Sequence, residues 1–284
     1  MIHYKEVFLG NKCSNKCLFC HYRLNAYEEP DFNTIINLLE QIEGDSIALY
    51  GGEPTLRNDI LRIINIAKKN GYRRIKLISN GRSLSDNHFL SQIIKEGCLL
   101  FEIKLWGSNP DLHDYLTQTP NSFLQTIQGL ENLQRLSCDK FVCLRIPICK
   151  NNFTDIINIV ITGINLGVNR IVLSFEDHNI SLKEVIPYIK VALNVSILNR
   201  IWILTEGFPF CVMQGQEHHI SEIYNKYESK IYPRTYRHHK NCQHCLYREI
   251  CKGVEIEYLN KFGHTEFHPI KFSRYFEEIR SLYG

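Results

Sequence analysis

Cys13, Cys17 and Cys20 are the residues whose type and spacing bear most directly on chemistry, in the run Gly-Asn-Lys-Cys-Ser-Asn-Lys-Cys-Leu-Phe-Cys-His that begins at Gly10. Three thiolates in so short a stretch, directly after an apolar strand candidate, can turn towards one point, as a soft iron or zinc centre requires. Three ligands on a tetrahedral centre leave one position open, and that points to chemistry more than to scaffolding, because structural sites are closed by four protein ligands. Other readings use the same residues. Cys17 to His21 spells C-x-x-C-H, the haem-attachment pattern, but that chemistry belongs to exported proteins and no signal segment leads this sequence. His21 could instead complete a zinc site of three Cys and one His, and inert buried thiols are the plainest alternative.

A second set lies near the other end: Cys211, the pair Cys242 and Cys245 in C-x-x-C, then Cys251 and Gly253. Four cysteines make a full ligand set, and this spacing reads as a metal knuckle. Zinc competes with iron-sulfur there, because His238, His239 and His244 are close in sequence. No second C-x-x-C or H-x-x-x-H completes a zinc finger, which favours iron-sulfur. Cys98, Cys138, Cys143 and Cys149 read as packing residues.

The 284 residues suffice for one large α/β domain plus a small appendage. Lys and Arg number 33 against 30 Asp and Glu, a net charge of +3, which argues against a nucleic-acid or acidic-membrane partner. Eleven cysteines, an odd count, suit metal ligands and buried thiols in a reducing compartment better than disulfides. With no long apolar stretch, the expectation is a soluble, cytoplasmic protein.

The elements that must position these residues follow a regular rhythm. Strands are expected at Tyr4 to Leu9, Ser46 to Tyr50, Arg74 to Ser79, Leu99 to Trp106, Phe141 to Cys149 and Arg170 to Phe175. Helices alternate with them at Phe32 to Ile42 behind an Asp31 cap, Asn58 to Asn70, Asp86 to Glu96, Ser122 to Leu136, Phe153 to Leu166 and Leu182 to Leu198. Six βα units in succession predict parallel strands with crossover helices, and an active site in the loops after the strands. The cysteine triplet follows the first strand, Gly51-Gly52-Glu53-Pro54 the second, and Ser79-Asn80-Gly81 the third.

Period-two alternation sorts the later strands into two faces. Val142, Leu144, Ile146 and Ile148 turn towards the helices. On the other face, strands four to six place Glu102, Lys104, Arg145, Ser174 and Glu176, with Cys143 and Cys149 on the same side. A closed barrel fills its interior with branched apolar side chains, so this polar set predicts an open barrel around a polar ligand; the alternative is that Glu102, Lys104 and Arg145 are structural ion pairs.

With these residues in place, the chain resembles the radical S-adenosylmethionine (SAM) superfamily over about residues 1 to 205. The resemblance rests on C-x-x-x-C-x-x-C at Cys13, Cys17 and Cys20, the aromatic Phe19 before the third cysteine, and Gly51-Gly52-Glu53-Pro54. It implies a partial (β/α)6 TIM-like barrel and a 4Fe-4S cluster on the three thiolates, with SAM on the fourth iron. Gly51 and Gly52 would let the methionyl moiety come close, and Glu53 or nearby carbonyls would accept from its ammonium. Arg145 is the candidate for the SAM carboxylate and Asn80 for the nucleoside. The chain departs from the pattern on strand four, where relatives often have a small hydroxyl residue and Lys104 or Trp106 stands here; Lys104 then serves SAM or the substrate.

Residues 206 to 284 resemble the twitch domain, the shortened form of the SPASM domain, which implies one auxiliary 4Fe-4S cluster on Cys211, Cys242, Cys245 and Cys251. The tail from Phe272 to Leu282 reads as a short amphipathic helix. The family implies reductive cleavage of SAM to a 5′-deoxyadenosyl radical that takes a hydrogen atom from the substrate, with the electron from a protein such as flavodoxin or ferredoxin. A peptide or amino-acid-like substrate, as in maturation of ribosomal peptides, is the first expectation, although the sequence opens directly on the first barrel strand without a separate peptide-recognition domain. A small metabolite such as a sugar or nucleotide is the second. A non-enzymatic zinc or iron-sulfur protein is a distant third.

Overall fold

A computed structural model describes residues 4–20, 22, 27–136, 140–177, 179–224 and 235–283. Among these, seven strands follow chain order in one sheet: β1 (Lys5–Phe8), β2 (Ser46–Tyr50), β3 (Arg74–Ser79), β4 (Leu100–Lys104), β5 (Phe141–Ile148), β6 (Arg170–Phe175) and β7 (Trp202–Glu206). The pairings from β1 through β5 are parallel. The helices between them are α1 (Phe32–Gln41), α2 (Ile60–Lys69), α3 (Asn87–Glu96), α4 (Pro110–Thr117), α5 (Ser122–Leu136), α6 (Ile156–Asn165) and α7 (Leu182–Leu198). By contacts the chain falls into two units, one of Ile2–Ile146 with Asn158–Ile171 and the other of Pro147–Ile157 with Val172–Gly284.

The βα alternation is as the sequence predicts, with two additions. β7 is a seventh strand, and α4 is an extra helix between β4 and α5. Asp31 caps α1 through Thr34 N, and Asp86 caps α3 through His88 N and Phe89 N. Several elements are shorter than expected: β1 and β4 lack both predicted ends, α6 begins only after a 3-10 turn at Phe153–Asp155, α2 starts at Ile60, and α1, α3 and β5 each lose one terminal residue.

In the first unit the two sheet faces differ sharply. Val7, Ile47, Leu49, Ile75, Leu77, Phe101, Ile103, Val142 and Leu144 are each at most 1% exposed, and form the core against the helices. A Cβ on Gly163 of α6 would meet Leu144 Cδ2 at 2.7 Å, so this glycine sets how closely the helix lies on the sheet. The other face carries Lys76, Glu102, Lys104 and Arg145, in the alternation expected for β4 and β5.

The second unit adds a two-stranded antiparallel ribbon of β8 (Tyr236–Arg237) and β9 (Val254–Glu255), followed by α8 (Ile256–Phe262) and α9 (Phe276–Tyr283). The predicted tail helix is present as α9, beginning four residues later than expected. Cys98, Cys143 and Cys149 are buried at 0%, 7% and 1% exposure, while Cys138 and His21 lie outside the described residues. No helix among the described residues is long and apolar enough to cross a membrane.

Candidate active site

The cysteine loop leaves β1 and is fastened at once to the turn after β2. Gly52 N donates to Gly10 O at 2.8 Å and Glu53 N to Lys12 O at 2.7 Å. The glycines make this possible: a Cβ on Gly51 would lie 2.4 Å from Gly10 O, and one on Gly52 2.3 Å from Asn11 O. The close approach that Gly51 and Gly52 permit is therefore first of all that of the cysteine loop's own backbone.

Further ties converge on the loop. Asn80 Nδ2 donates to Ser14 Oγ at 3.0 Å and lies 3.8 Å from Cys13 Sγ. Arg82 reaches Ser14 O at 2.6 Å and Asn15 Oδ1 at 2.9 Å. The C-terminus of α4 accepts Lys16 N at Thr117 O and Leu18 N at Leu116 O. Phe19 stacks on Trp106 with ring centroids 6.2 Å apart. Trp106 N donates to His113 Nδ1 of α4 at 3.3 Å, and burial holds that imidazole down at about 4, so it is neutral and able to accept.

The three thiols are half-buried and within electrostatic reach of one another. Burial pushes Cys13 up and Cys17 up to about 12, each further raised by its neighbours, while the Lys104 ammonium pulls Cys17 back. Such a donor set fits a soft cationic cluster, whose charge would offset thiolate repulsion in a desolvated place. Among the described residues no three His, Cys, Asp or Glu side chains are gathered tightly enough for a single metal ion; a cluster, with each ligand on a different iron, takes sulfurs that stand further apart.

Glu53, expected as a SAM contact, is a hub of the protein itself. It is 2% exposed. Its Oε1 accepts from Thr55 N at 3.1 Å, Thr55 Oγ1 at 2.6 Å and Ser79 Oγ at 2.8 Å, and its Oε2 from Asn80 N at 2.7 Å. Burial pushes its carboxyl up, against the pull of these donors. Pro54 opens the 3-10 turn that Glu53 caps. Asn80 is equally committed: its Oδ1 accepts from Arg82 N and its carbonyl from Thr126 Oγ1 of α5. Gly129 lets α5 approach this turn, since a Cβ there would fall 2.3 Å from Gly81 O.

On the polar face of the sheet, Glu102 takes Arg145 Nε at 2.6 Å and Lys76 Nζ at 3.1 Å. Burial alone would raise the Glu102 carboxyl, but the two cations hold it well below the usual carboxylate range. The ion-pair alternative is thus realised between Glu102 and Arg145. Lys104 is half-buried and makes no ion pair among the described residues. Sequence reasoning missed Lys76, although Ile75-Lys76-Leu77 shows the same alternation. It also missed Arg82, which directly follows Asn80-Gly81, and Arg57, whose partners are too distant in sequence to be seen.

In the second unit Cys211, Cys242, Cys245 and Cys251 are half-buried and mutually within electrostatic reach. Burial pushes Cys211 up to about 12 and raises Cys251. Backbone N–H groups point at the sulfurs: Ile270 N lies 3.4 Å from Cys245 Sγ, and Gly253 N 3.4 Å from Cys251 Sγ. The Gly253 N–H pulls the Cys251 thiol down, against the burial that raises it. Phe210, beside Cys211, stacks on the fully buried Tyr247 at 4.5 Å, which joins the first cysteine's turn to the knuckle. The nearby histidines have other partners: His238 Nε2 meets Cys251 O at 2.8 Å, His239 caps the turn at Asn241 N, and His244 is exposed.

Known proteins resemble this chain in sequence and in fold. The family model described as "Radical SAM superfamily" matches residues 7–161. A probable GTP 3′,8-cyclase of Saccharolobus islandicus is 25% identical over 210 residues, covering 65% of this chain and 64% of that protein; the matched stretch is thus less than two thirds of that relative's length. Among solved structures, Streptococcus suis SuiB bound to its precursor peptide SuiA has 15% identity and a TM-score of 0.59, over 72% of this chain and 49% of that one. Native anSMEcpe with bound AdoMet and a Kp18Cys peptide has 12% identity and a TM-score of 0.62, over 98% and 95% of the two chains. At these identities the likeness is one of fold.

Proposed function

Because the chain belongs to the radical SAM superfamily, whose members use a 4Fe-4S cluster and SAM, we propose that it is an enzyme that abstracts a hydrogen atom from a peptide or amino-acid-like substrate. The observation that carries the enzymatic reading is the backbone docking of the three-cysteine loop onto the Gly51–Glu53 turn, which brings the two motif stretches into one site. The cluster, when bound, supplies the electron that splits SAM into methionine and the 5′-deoxyadenosyl radical.

The chain's own residues hold and orient. Cys13, Cys17 and Cys20 are the cluster ligands, and Phe19 on Trp106 closes one side of their loop. Backbone carbonyls of the Gly51 to Pro54 turn receive SAM's ammonium, with Glu53 fixing that turn more than touching the cofactor. Arg145, oriented through Nε by Glu102, serves SAM's carboxylate. Lys104 is a second cation for the cofactor or substrate, and Asn80 lies at the nucleoside side. The radical core runs to about residue 205. Residues 206 to 284 form a twitch-like domain with an auxiliary cluster on Cys211, Cys242, Cys245 and Cys251, and a flavodoxin- or ferredoxin-like protein delivers the electron.

The peptide reading is supported by a fold likeness extending over nearly the whole of a chain that was solved with a peptide. A nucleotide substrate is the second reading, favoured by the sequence match to a probable GTP 3′,8-cyclase. The test is anaerobic reconstitution with iron and sulfide, followed by iron counting and assay of 5′-deoxyadenosine after reduction with SAM. About eight irons are expected in the wild type and about four in the Cys13→Ala/Cys17→Ala/Cys20→Ala variant, with deoxyadenosine from the wild type alone. Failure of reduced, iron-loaded wild type to split SAM would overturn the enzymatic reading.

A further inference from the structure

The end of β4 runs up to the cysteine loop and meets it with two side chains of alternate positions. Trp106 stacks on Phe19, and Lys104, two residues earlier, is close enough to Cys17 for its charge to favour the thiolate. Both sides of this contact are held by backbone. Leu105 N donates to Arg145 O at 3.0 Å, which fixes the strand end, while Lys16 N and Leu18 N donate to Thr117 O and Leu116 O at 2.9 and 3.0 Å, which fixes the chain on either side of Cys17. The fold itself therefore sets Lys104 beside Cys17.

Lys104 differs from the other cations of its sheet face. Arg145 Nε and Lys76 Nζ are both spent on Glu102, at 2.6 and 3.1 Å, whereas Lys104, the register partner of Arg145, is half-buried and makes no ion pair among the described residues. Its charge is left to act on what lies beside it. The Cys13 sulfur is served by dipoles instead: Asn15 N donates to it at 3.4 Å and Asn80 Nδ2 lies 3.8 Å away. Glu53 acts on Cys13 in the opposite sense, but its two oxygens are already taken by four donors. Charge near an iron-sulfur cluster and hydrogen bonds to its sulfurs are the levers that set its reduction potential.

We propose that Lys104 tunes the first cluster, its ammonium beside Cys17 raising the potential at which an electron is accepted there. One electron leaves the donor protein and is taken up at the three-cysteine site, with no bond broken and no proton transferred. The site gains one unit of negative charge, and a fixed cation at one of its thiolates lowers the energy of that state. Lys104 so acts before SAM or substrate is engaged, which deepens the radical SAM reading above and rests on it.

The potential can be read without turnover, by electron paramagnetic resonance during an anaerobic redox titration of the reconstituted protein. SAM and substrate are left out, so that no contact of Lys104 with either enters the result. A portion of each reduced sample then receives SAM, and the signal that SAM perturbs identifies the first cluster. Lys104→Met is expected to lower the ratio of reduced to oxidised cluster about tenfold at a given potential, a shift of about 59 mV to more negative values for one electron. Lys104→Arg keeps the charge and is expected to stay within about twofold of the wild type. Lys104→Gln repeats the loss of charge with a polar side chain should Lys104→Met take up iron poorly. A change of less than about twofold in both neutral variants, a shift to more positive values, or an equal shift in Lys104→Arg would each overturn the inference, the last by assigning the effect to packing. So would a difference seen only once SAM is present. Iron content of the Cys13→Ala/Cys17→Ala/Cys20→Ala variant separates the two readings. Unchanged iron there would remove the first cluster and the radical SAM mechanism with it, whereas a loaded cluster indifferent to Lys104 would remove this inference alone.

Discussion

At the scale of single residues, the groups of the site are held by bonds to one another. Glu53→Gln would set an amide NH2 among four donors that need acceptors. The expected cost is about 1–3 kcal/mol, with weakened SAM binding because the Asn80 turn loses its anchor; denaturant unfolding and SAM titration report the two effects. Glu102 gives a pH-dependent result. Its folded pKa is depressed, so its contribution is complete above about pH 4.3, its unfolded value, and is lost as pH falls towards the folded one. Glu102→Gln removes the buried carboxylate charge that Lys76 and Arg145 share. It should destabilise the protein by about 3–5 kcal/mol at pH 7 and flatten the acid limb of the stability profile. Arg145 and Glu102 were legible from alternation along their strands. That Glu53 would be consumed by its own surroundings was not, because nothing in Gly-Gly-Glu-Pro reports that Ser79 and Asn80 will fold onto it.

At the scale of elements, the cysteine loop depends on pieces remote in sequence. Gly52→Ala should cost about 1–3 kcal/mol through overpacking and lower iron incorporation sharply, since the new Cβ meets Asn11 O and Lys12 O; iron content after reconstitution checks it. Asp114 of α4 accepts from Asn121 N, Ser122 Oγ and Phe123 N, and so ties α4 to the start of α5. Asp114→Ala should cost about 1 kcal/mol and speed amide exchange at Lys16 and Leu18, whose acceptors sit at the end of α4. That helix escaped the sequence reading because only Leu112 and Leu116 mark an apolar face in Pro110–Thr117. Its evidence is instead the Asn109 cap and Pro110 at the first position.

At the scale of the whole molecule, apolar periodicity made the βα rhythm legible, and Gly71, Gly97 and Gly167 close helices at positive φ. β7 was not legible. Trp202–Glu206 is five residues long and runs straight into irregular turns, so its strand character shows only once β6 lies beside it. The two cysteine sets belong to different contact units. Replacing Cys211, Cys242, Cys245 and Cys251 together by Ala should therefore remove about four irons and leave the spectroscopic signature of SAM binding at the first cluster.

The guanidinium of Arg57 grips both ends of the cysteine excursion, donating to Leu9 O and to Pro30 O at 3.0 Å each while Asp59 fixes it from behind at 2.8 Å. The chain between those two carbonyls is thus a loop whose ends are tied by one side chain, and its closure entropy is spent when the barrel folds. Arg57→Ala should loosen that loop first and the barrel less, which amide exchange at Asn11 and Lys12 against that of the β2 and β3 core would report. The same staple draws the entry and exit of the cysteine loop into one neck, so the fold of the barrel and the presentation of the thiols meet at a single side chain.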